Sequence, residues 1–405
     1  MNDIKNKIIA LSGQPVTGKG STTKALIEKL KEKGYSDDSI HVISTGNEFR
    51  RYFNILIDFI KNLDNHEKLE KISETPEMKA LMSSLERRMA IINTVSRLRT
   101  GGVNLSSFSI EQANNLDELR EIRSVVDGLI DESIVRKGKE INSVKRPDEL
   151  WIVDSRLAFH NIPDAFSVRL TATPEIAAKR LINDKTRGKE DSSYNSLEEA
   201  KIAREKRRIG EQERYKERYG VDLENPDNYD LIIDTSYASI GDTADTILTC
   251  LDYYIEDKKF TKNWTSPKML LPLQGIRETD GVTSSGYTLD RMVDVIEKNG
   301  YLPDKPIEVA EANGYKGIIE GHHRNFAMAC LGKTLIPYEV VAKDDEKIPY
   351  GGGTAKERLS CIQQRNLFDH EPLFEGQGKD KHFSYDDIYP GIYDRLNKRD
   401  EIESR

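Results

Sequence analysis

The feature that most constrains this chain is residues 8–23, IIALSGQPVTGKGSTT. An apolar run ends in a glycine-rich segment, and a helical pattern, KALIEKLKEK, follows directly. A phosphate-binding loop requires this order of strand, turn and helix, because glycines let backbone N–H groups face phosphate oxygens and the helix N-terminus adds its positive end. A chance glycine-rich turn is disfavoured, since strand, loop, lysine and helix are all in place. We therefore predict that this loop binds a nucleoside triphosphate.

The predicted ATP-binding residues run consecutively: Gly13, Gln14, Pro15, Val16, Thr17, Gly18, Lys19, Gly20, Ser21 and Thr22. Lys19 stands at the G-x4-G-K spacing, where it can reach the β- and γ-phosphates, and is predicted to be catalytic. Gly20 replaces the usual Ser or Thr, and this G-K-G-S variant resembles the nucleoside monophosphate kinases. Ser21 becomes a candidate Mg²⁺ ligand together with Asp154, directly or through water.

Composition narrows the class of protein. The 405 residues are enough for two or three domains. The chain has 61 Lys+Arg against 69 Asp+Glu, which makes broad binding to nucleic acid unfavourable. The three cysteines are far apart and form no CxxC pair, so neither a disulfide framework nor a zinc site is indicated. Without a stretch long enough for a signal peptide or a membrane span, we expect a cytoplasmic protein.

Two further strand ends in the first half carry residues suited to phosphate. HVIS runs into TGNEFRR, where Arg50 or Arg51 lies in the first turns of a helix, and LWIV runs into Asp154-Ser155-Arg156. Ligands of open α/β sheets bind beyond the carboxyl ends of the strands, and arginine donates two parallel bonds to phosphate. We predict an acceptor-phosphate site of Arg50, Asp154 and Arg156, with Arg156 also catalytic. The alternatives are a solvated Arg50 and a helix-capping Asp154.

Residues 61–146 are predicted to be helical, with a set of apolar side chains in the core: Met78, Leu81, Met82, Leu85 and Met89. A charged arm follows Asn183 and contains arginines among carboxylates: Arg187, Arg204, Arg207, Arg208, Arg214 and Arg218. Such a run is usually a solvated helix face. In a phosphotransferase it can instead be a lid that neutralises the transferring group and excludes water.

Residues 8–250 resemble the cytidylate kinase family through stretches in the family's order: GQPVTGKGS, STGNEFR, VDSRLA, LTATPEIAAKRL, REKRR with ERYKERYGVD, and YDLIIDTS. The resemblance implies phosphoryl transfer from ATP, with Arg50 and Arg156 on the acceptor phosphate. It also implies that Lys19 and lid arginines, for which we choose Arg204 and Arg208, bind the transferring group. The segment between STGNEFR and VDSRLA is about 100 residues, long for that family, and Ser155 stands where the family more often has Gly. Cytosine recognition therefore does not follow.

The second half begins after residues 257–266, DKKFTKNWTS, which are polar without a period and are predicted to be a linker. Asn313-Gly314 predicts a hairpin turn between two strands. The second of these strands passes through Glu320-Gly321-His322-His323-Arg324 into a helix, whose N-terminus suits an anion. A metal pair at His322 and His323 is disfavoured because adjacent histidines project in different directions.

Residues 267–345 resemble the ParB/sulfiredoxin-like fold, which includes CTP-binding partition proteins, sulfiredoxins and free-serine kinases. The resemblance implies nucleotide-phosphate contacts for five consecutive residues: Glu320, Gly321, His322, His323 and Arg324. Glu320 is also a candidate catalytic base. Sulfiredoxin chemistry is disfavoured because His322 stands in place of the reactive Cys. DNA partitioning is disfavoured because no basic helix-turn-helix follows.

The predicted fold class is α/β: a phosphate-loop NTPase with a parallel sheet flanked by helices, joined to a second α+β domain. The kinase domain is assigned to residues 1–256 with a helical insert at about 61–146. The ParB/sulfiredoxin-like domain is assigned to 267–348, and a C-terminal extension, 349–405, is expected to wrap over it.

The predicted activity is transfer of the γ-phosphoryl group of ATP, with Mg²⁺, to a small acceptor. A nucleoside monophosphate such as CMP or dCMP is the leading candidate. One alternative is a bifunctional metabolite kinase in which the second domain is another phosphotransferase, resembling free-serine kinases. The other is a second domain that senses nucleotide without doing chemistry. The sequence indicates no oligomeric state.

Overall fold

The computed structural model describes residues 7–105, 119–143, 146, 148–183, 194, 196–273, 289–349 and 351–360. Arg187 of the predicted lid and most of the C-terminal extension lie outside these residues. The described residues form a mixed α/β fold of mostly parallel strands flanked by helices. They cluster into two units, and each is described by itself.

The first unit takes in the described residues of Met1–Thr23, Leu30–Ser167 and Thr173–Asn228. Its strands are β1 (Lys7–Gly13), β2 (Ile40–Ser44) and β3 (Leu150–Asp154). Its helices are α1 (Lys19–Glu32, of which Lys24–Lys29 cluster with the second unit), α2 (Thr45–Lys61), α3 (His66–Ser73), α4 (Pro76–Leu81), α5 (Leu85–Thr100), α6 (Arg120–Ser143), α7 (Ala158–Asn161), α8 (Pro174–Asn183) and α9 (Leu197–Tyr219).

The three strands of the first unit form a parallel arrangement with β3 in the centre. Leu11 of β1 and Ser44 of β2 are both in register with Asp154 of β3. The interior of β1 is buried throughout, as expected of a parallel strand that is covered on both faces. The register brings the carboxyl ends of all three strands to one edge, and the predicted phosphate-binding residues follow them there.

Helices α3 to α6 confirm the helical prediction for most of the described part of residues 61–146, but the predicted core is partly wrong. Met78 and Leu81 are buried, and Met82 packs against the same cluster. Leu85 and Met89, in contrast, are 68% and 48% exposed. The helical period is interrupted before Leu85, because Ser84 caps a new helix by accepting a hydrogen bond from the Arg87 amide.

The second unit takes in Lys24–Lys29, Val168–Ala172 and the described residues of Tyr229–Arg405. Its strands are β4 (Phe166–Thr171, in this unit from Val168 on), β5 (Leu231–Asp234), β6 (Asn263–Thr265), β7 (Leu270–Pro272), β8 (Ile307–Ala312), β9 (Tyr315–Glu320) and β10 (Ile336–Lys343). Its helices are α10 (Ile240–Ile255), α11 (Leu289–Asn299), α12 (His322–Cys330) and α13 (Ala355–Ser360).

These strands form a sheet in the order β4-β5-β6-β10-β8-β9-β7. The structure differs here from the linker predicted over residues 257–266. Residues Asn263–Thr265 are β6, which pairs parallel with β5 and antiparallel with β10. Three residues are too few to show a hydrophobic period in the sequence. Trp264 is only 5% exposed, although most of its neighbours in the sequence are polar. The units therefore divide the chain elsewhere than at the predicted domain boundaries, which stay predictions.

The local structure predicted around Glu320 is confirmed. The hairpin between β8 and β9 turns at Asn313 and Gly314, both with positive φ (51° and 76°), and α12 begins directly after β9. The resemblance to ParB/sulfiredoxin-like domains stays a prediction. Among the described residues, no helix combines the length and apolar character needed to cross a membrane.

Candidate functional site

The glycine-rich loop joins β1 to α1, as predicted. Gly18 has φ 93°, a conformation that glycine adopts without steric cost, and Val16 has φ 60°, which a β-branched residue rarely adopts. The Lys19 ammonium donates a hydrogen bond to the Gly13 carbonyl at 2.7 Å, and Thr17 Oγ1 donates to the Gln14 carbonyl at 2.8 Å. Both bonds join a side chain of the loop to a carbonyl of the same loop, so they stabilise its closed turn.

Side-chain to main-chain bonds tie the carboxyl ends of the three strands together. Ser12 Oγ donates to the carbonyls of Ser155 (3.0 Å) and Arg156 (3.3 Å), and Thr45 Oγ1 donates to the Asp154 carbonyl at 3.0 Å. Ser12 is buried and was missed in the sequence because a single serine at a strand end carries no motif. These bonds set the backbone of the Asp154-Ser155-Arg156 turn.

Asp154 is the electrostatic centre of this edge. Burial raises the pKa of its carboxyl, and the cationic groups of Lys19, Arg156 and Arg50 act in the opposite direction. The charges of the predicted lysine and of the two predicted acceptor-site arginines thus act on one carboxylate. The sequence placed all of them at strand ends, and parallel register brings those ends together.

Arg156 lies where this edge meets α9. Its side chain is 20% exposed and forms an ion pair with Glu211 of α9. Burial lowers the pKa of the Arg156 guanidinium to about 10; Tyr215 and Asp127 raise it, whereas the nearby Arg207 and Arg214 lower it further. Glu211 also pairs with Arg207 at 3.1 Å. Sequence reasoning missed Glu211, although its spacing of four residues from Arg207 was a signal for an ion pair on one helix face.

The N-terminal half of α9 contacts the loop. Arg204 Nη2 donates to Gln14 Oε1 at 2.7 Å, and Gln14 Nε2 donates to Glu224 Oε1 at 3.2 Å. Arg208 pairs with Glu224 at 2.7 Å and with Glu205 at 2.7 Å. A small cleft lies between loop residues 14–16 and this half of α9. Arg204 Nε is buried there without a hydrogen-bond partner among the described residues, so it is a donor suited to an anion.

The C-terminal half of α9 contacts the insert helix α6. Arg214 pairs with Asp127, the Tyr219 hydroxyl bonds Asp131, and Arg218 bonds the carbonyl and hydroxyl of Ser124. Burial raises the pKa of Asp127 to about 6 despite the nearby Arg214, and burial likewise raises the pKa of Asp131. Arg214 and Arg218 of the predicted lid therefore anchor the helix to the insert.

Ser21 and Asp154 were predicted to hold Mg²⁺. Ser21 is exposed in the first turn of α1, and Asp154 offers a carboxylate beside Lys19. No cluster of three or more His, Cys, Asp or Glu suited to a metal occurs among the described residues. A hydroxyl and a carboxylate fit Mg²⁺, which takes few protein ligands and keeps waters and substrate phosphate oxygens.

In the second unit, two of the predicted nucleotide-binding residues, His322 and Arg324, form hydrogen bonds with main-chain groups of the protein. His322 is buried, its Nε2 accepts a hydrogen bond from the Leu273 amide, and burial lowers its pKa to about 3. Arg324 Nη1 donates to the carbonyls of Lys305 and Pro306. Glu320 is exposed, His323 is half-buried, and Gly321, with φ 99°, is the residue before α12. Their binding of nucleotide stays a prediction.

A glycine-rich loop before a helix, a lysine at its end and arginines around a carboxylate at the same sheet edge define the class of phosphate-loop nucleotide kinases. The comparison with protein families agrees with this class: the chain matches the cytidylate kinase-like family over residues 8–237 and belongs to that family.

Three related proteins were compared with the chain. It is 27% identical over 241 residues to a cytidylate kinase from Sulfolobus acidocaldarius, covering 59% of this chain and 91% of the relative. It is 29% identical over 152 residues to a cytidylate kinase from Methanosphaera stadtmanae, covering 38% and 79%. It is also 34% identical over 135 residues to an S-adenosylmethionine-dependent nucleotide dehydratase from Lacinutrix mariniflava. That match covers 33% of this chain and only a quarter of the dehydratase.

Proposed function

We propose that the chain is an ATP-dependent nucleoside monophosphate kinase, with CMP or dCMP as the leading acceptor. The observation that carries this proposal is the set of cations, Lys19, Arg156 and Arg50, whose charges act on the Asp154 carboxyl at the end of β3. A transferring phosphoryl group and an acceptor phosphate are both anionic, and phosphoryl transfer depends mainly on positioning and charge neutralisation. Family membership implies ATP as the donor.

The residues divide the work between the two phosphates. The backbone of the glycine-rich loop and the Lys19 ammonium bind the donor phosphates, and the buried Nε of Arg204 donates to the same group from α9. Arg50 and Arg156 bind the acceptor phosphate. Ser21 and Asp154 are the residues that would hold Mg²⁺, which would supply further neutralisation of the phosphate charge. Closing of α9 over the cleft excludes water.

The choice of acceptor rests on the relatives. Two of them are named cytidylate kinases, and the third is named a nucleotide dehydratase. A nucleotide is thus the substrate class common to these names. The insert helix α6, with Asp127 close to Arg156, adds polar groups on the acceptor side.

The test is an acceptor screen with ATP and Mg²⁺, read by mass shift. The acceptors are the four ribonucleoside monophosphates, their deoxy forms, serine and several sugars. We expect a mass gain of one phosphoryl group on CMP or dCMP. Lys19→Ala should abolish the transfer, and Lys24→Ala, an exposed lysine in the same helix, should retain it. Intact transfer in Lys19→Ala would refute the proposal, and phosphorylation of serine or a sugar alone would favour the metabolite kinase.

For the second unit we retain two proposals, a nucleotide-sensing module and a second phosphotransferase. The exposed Glu320 at the end of β9 and the start of α12 at His322 favour a ligand at this point of the sheet. Glu320→Ala separates the two proposals. Unchanged turnover with a lost response to added CTP would indicate sensing, whereas loss of a phosphotransfer that survives Lys19→Ala would indicate a second catalytic site.

A further inference from the structure

Glu211 of α9 forms ion pairs with two arginines that could otherwise bind a phosphate, Arg156 and Arg207. Its carboxylate pairs with Arg156 and, through its other oxygen, with Arg207 Nε at 3.1 Å. The Glu211 side chain is only 13% exposed. Without the carboxylate the two guanidinium groups would repel each other, since the charge of Arg207 lowers the pKa of Arg156.

A carboxylate held between two guanidinium groups has the same contacts that a phosphate makes there. Both anions accept paired N–H bonds from arginine. A phosphate monoester, however, carries up to two negative charges and three free oxygens. It therefore competes for Arg156 and Arg207 with an advantage that an uncharged acceptor or a water molecule lacks.

We propose that Glu211 is a specificity-determining residue that holds Arg156 and Arg207 until the phosphate of an acceptor displaces it. This inference rests on the proposed function and adds a selection rule to it. An acceptor with a phosphate group releases the arginines, and one with only hydroxyl groups leaves them paired with Glu211. Because Glu211 acts through the arginines, it is a positioning residue.

The same pairing limits transfer to water. In that side reaction a water oxygen bonds the γ-phosphorus, the bond to the β–γ bridging oxygen breaks, ADP leaves and the proton of water passes to solvent. The side reaction is faster when more cationic groups reach the γ-phosphoryl group than Lys19 and Arg204 alone. While Glu211 holds Arg156 and Arg207, the charges of these two arginines are not added until the acceptor arrives.

The test compares the full-length wild type with Glu211→Gln, which keeps the shape and removes the charge. Glu213→Gln, an exposed glutamate two residues further along the helix, is the matched control. We expect Glu211→Gln to lower the KM for CMP about tenfold with kcat within about twofold, and to raise ATP hydrolysis without acceptor about tenfold. A tenfold change corresponds to about 1.4 kcal/mol. Glu213→Gln should behave as wild type in both assays.

A second measurement tests the role of Glu211 without an activity assay and also shows whether each variant folds. Thermal unfolding with and without inorganic phosphate should show a larger phosphate-induced rise in Tm for Glu211→Gln than for Glu213→Gln. Glu211→Asp, with a shorter reach, should give a smaller effect in the same direction if the Gln variant does not fold. Equal phosphate effects in all variants, or weaker CMP binding in Glu211→Gln, would overturn the inference. A wild type that phosphorylates no nucleotide refutes the kinase proposal, and the phosphate measurement still decides on Glu211.

Discussion

Val16 sits in the glycine-rich loop with a backbone conformation that β-branched side chains rarely adopt, φ 60°. Its neighbours explain how the strain is held, because Thr17 and Lys19 bond back to the loop and Arg180 donates to the Val16 carbonyl at 3.3 Å. Strain of this kind costs on the order of 1–3 kcal/mol and occurs often at ligand-binding sites.

Val16→Gly should therefore leave the free energy of unfolding unchanged or raise it by up to about 1 kcal/mol, since relief of strain offsets the greater freedom of glycine in the unfolded chain. Denaturant unfolding measures this change. Val42→Gly, at a 44% exposed position of β2 without positive φ, is the matched control and should destabilise the protein. Equal destabilisation by both substitutions would contradict the strain.

Asp127 predicts a pH dependence of stability. Burial raises the pKa of its carboxyl from 3.8 to about 6, so the folded state favours the protonated form. The stability that this group contributes is complete below about pH 4 and is lost as the pH rises through about 6. Between pH 4 and pH 7 the free energy of unfolding of Asp127→Asn should therefore rise relative to that of the wild type, by on the order of 2 kcal/mol.

The measurement for Asp127→Asn is the free energy of unfolding across this pH range. Asp64→Asn, whose side chain is 93% exposed, serves as the control and should run parallel to the wild type. A constant difference between Asp127→Asn and wild type at every pH would show that the carboxyl of Asp127 does not titrate in this range.

At the residue scale, the sequence predicted the cations of the site but not their partners. Each of the predicted cations, Lys19, Arg50 and Arg156, follows a strand in the sequence. They were predictable because ligands of parallel sheets bind beyond the carboxyl ends of the strands. Ser12, Glu211 and Glu224 act through bonds to residues that are distant in the chain or through side-chain orientation on a helix. Apart from the four-residue spacing of Arg207 and Glu211, the sequence carries no local pattern that predicts those contacts.

At the element scale, α9 has two differently anchored halves. Its first half bonds the glycine-rich loop through Arg204, and its second half bonds α6 through Arg214, Arg218 and Tyr219. The long insert thus has a structural role that its sequence did not show, because it supplies the surface against which the base of α9 is fixed. Gly210 lies between the two halves.

Two glycines within helices should respond oppositely to the same substitution. A Cβ at Gly138 of α6 would lie 2.8 Å from Cγ1 of the buried Ile162, whereas a Cβ at Gly210 of α9 meets nothing within 4 Å. Gly138→Ala should destabilise the protein by about 1–2 kcal/mol, because overpacking outweighs the gain in helix propensity. Gly210→Ala should stabilise it by up to about 1 kcal/mol.

Thermal and denaturant unfolding of the two glycine variants test this pair. Gly138→Ala combined with Ile162→Val, which removes a methyl group beside the new Cβ, should recover part of the loss. A stabilising Gly138→Ala would contradict the packing of α6 on Ile162.

At the scale of the whole molecule, the second unit joins strands that the sequence assigned to different domains. β5, from the kinase-like half, and β10, from the second half, both pair with β6. The order of secondary-structure elements was predictable from periods and turns. The grouping of strands into a sheet was not, because it depends on Asn263–Thr265, a strand too short to show a period.

Because β5 and β8 belong to one sheet, we expect these strands to unfold locally as one cooperative unit. Ile307→Ala removes a fully buried side chain of β8 and should cost about 2–5 kcal/mol. Because β8 and β5 belong to one sheet, amide hydrogen exchange should accelerate at Ile233 of β5 as well as around β8. Ile57→Ala, an equally buried isoleucine of α2, is the control and should act first on the helices of its own cluster. Exchange confined to β8 and its neighbours would refute a common opening.

The two anchors of α9 place one more pair of residues between them. The helix is held at its base by Arg214 on Asp127 of α6 and in its first half by Arg204 on Gln14 of the glycine-rich loop. Glu211, which pairs with Arg156 and Arg207, lies between these two contacts. One helix therefore carries both a contact to the glycine-rich loop and a contact to Arg156, about two turns apart.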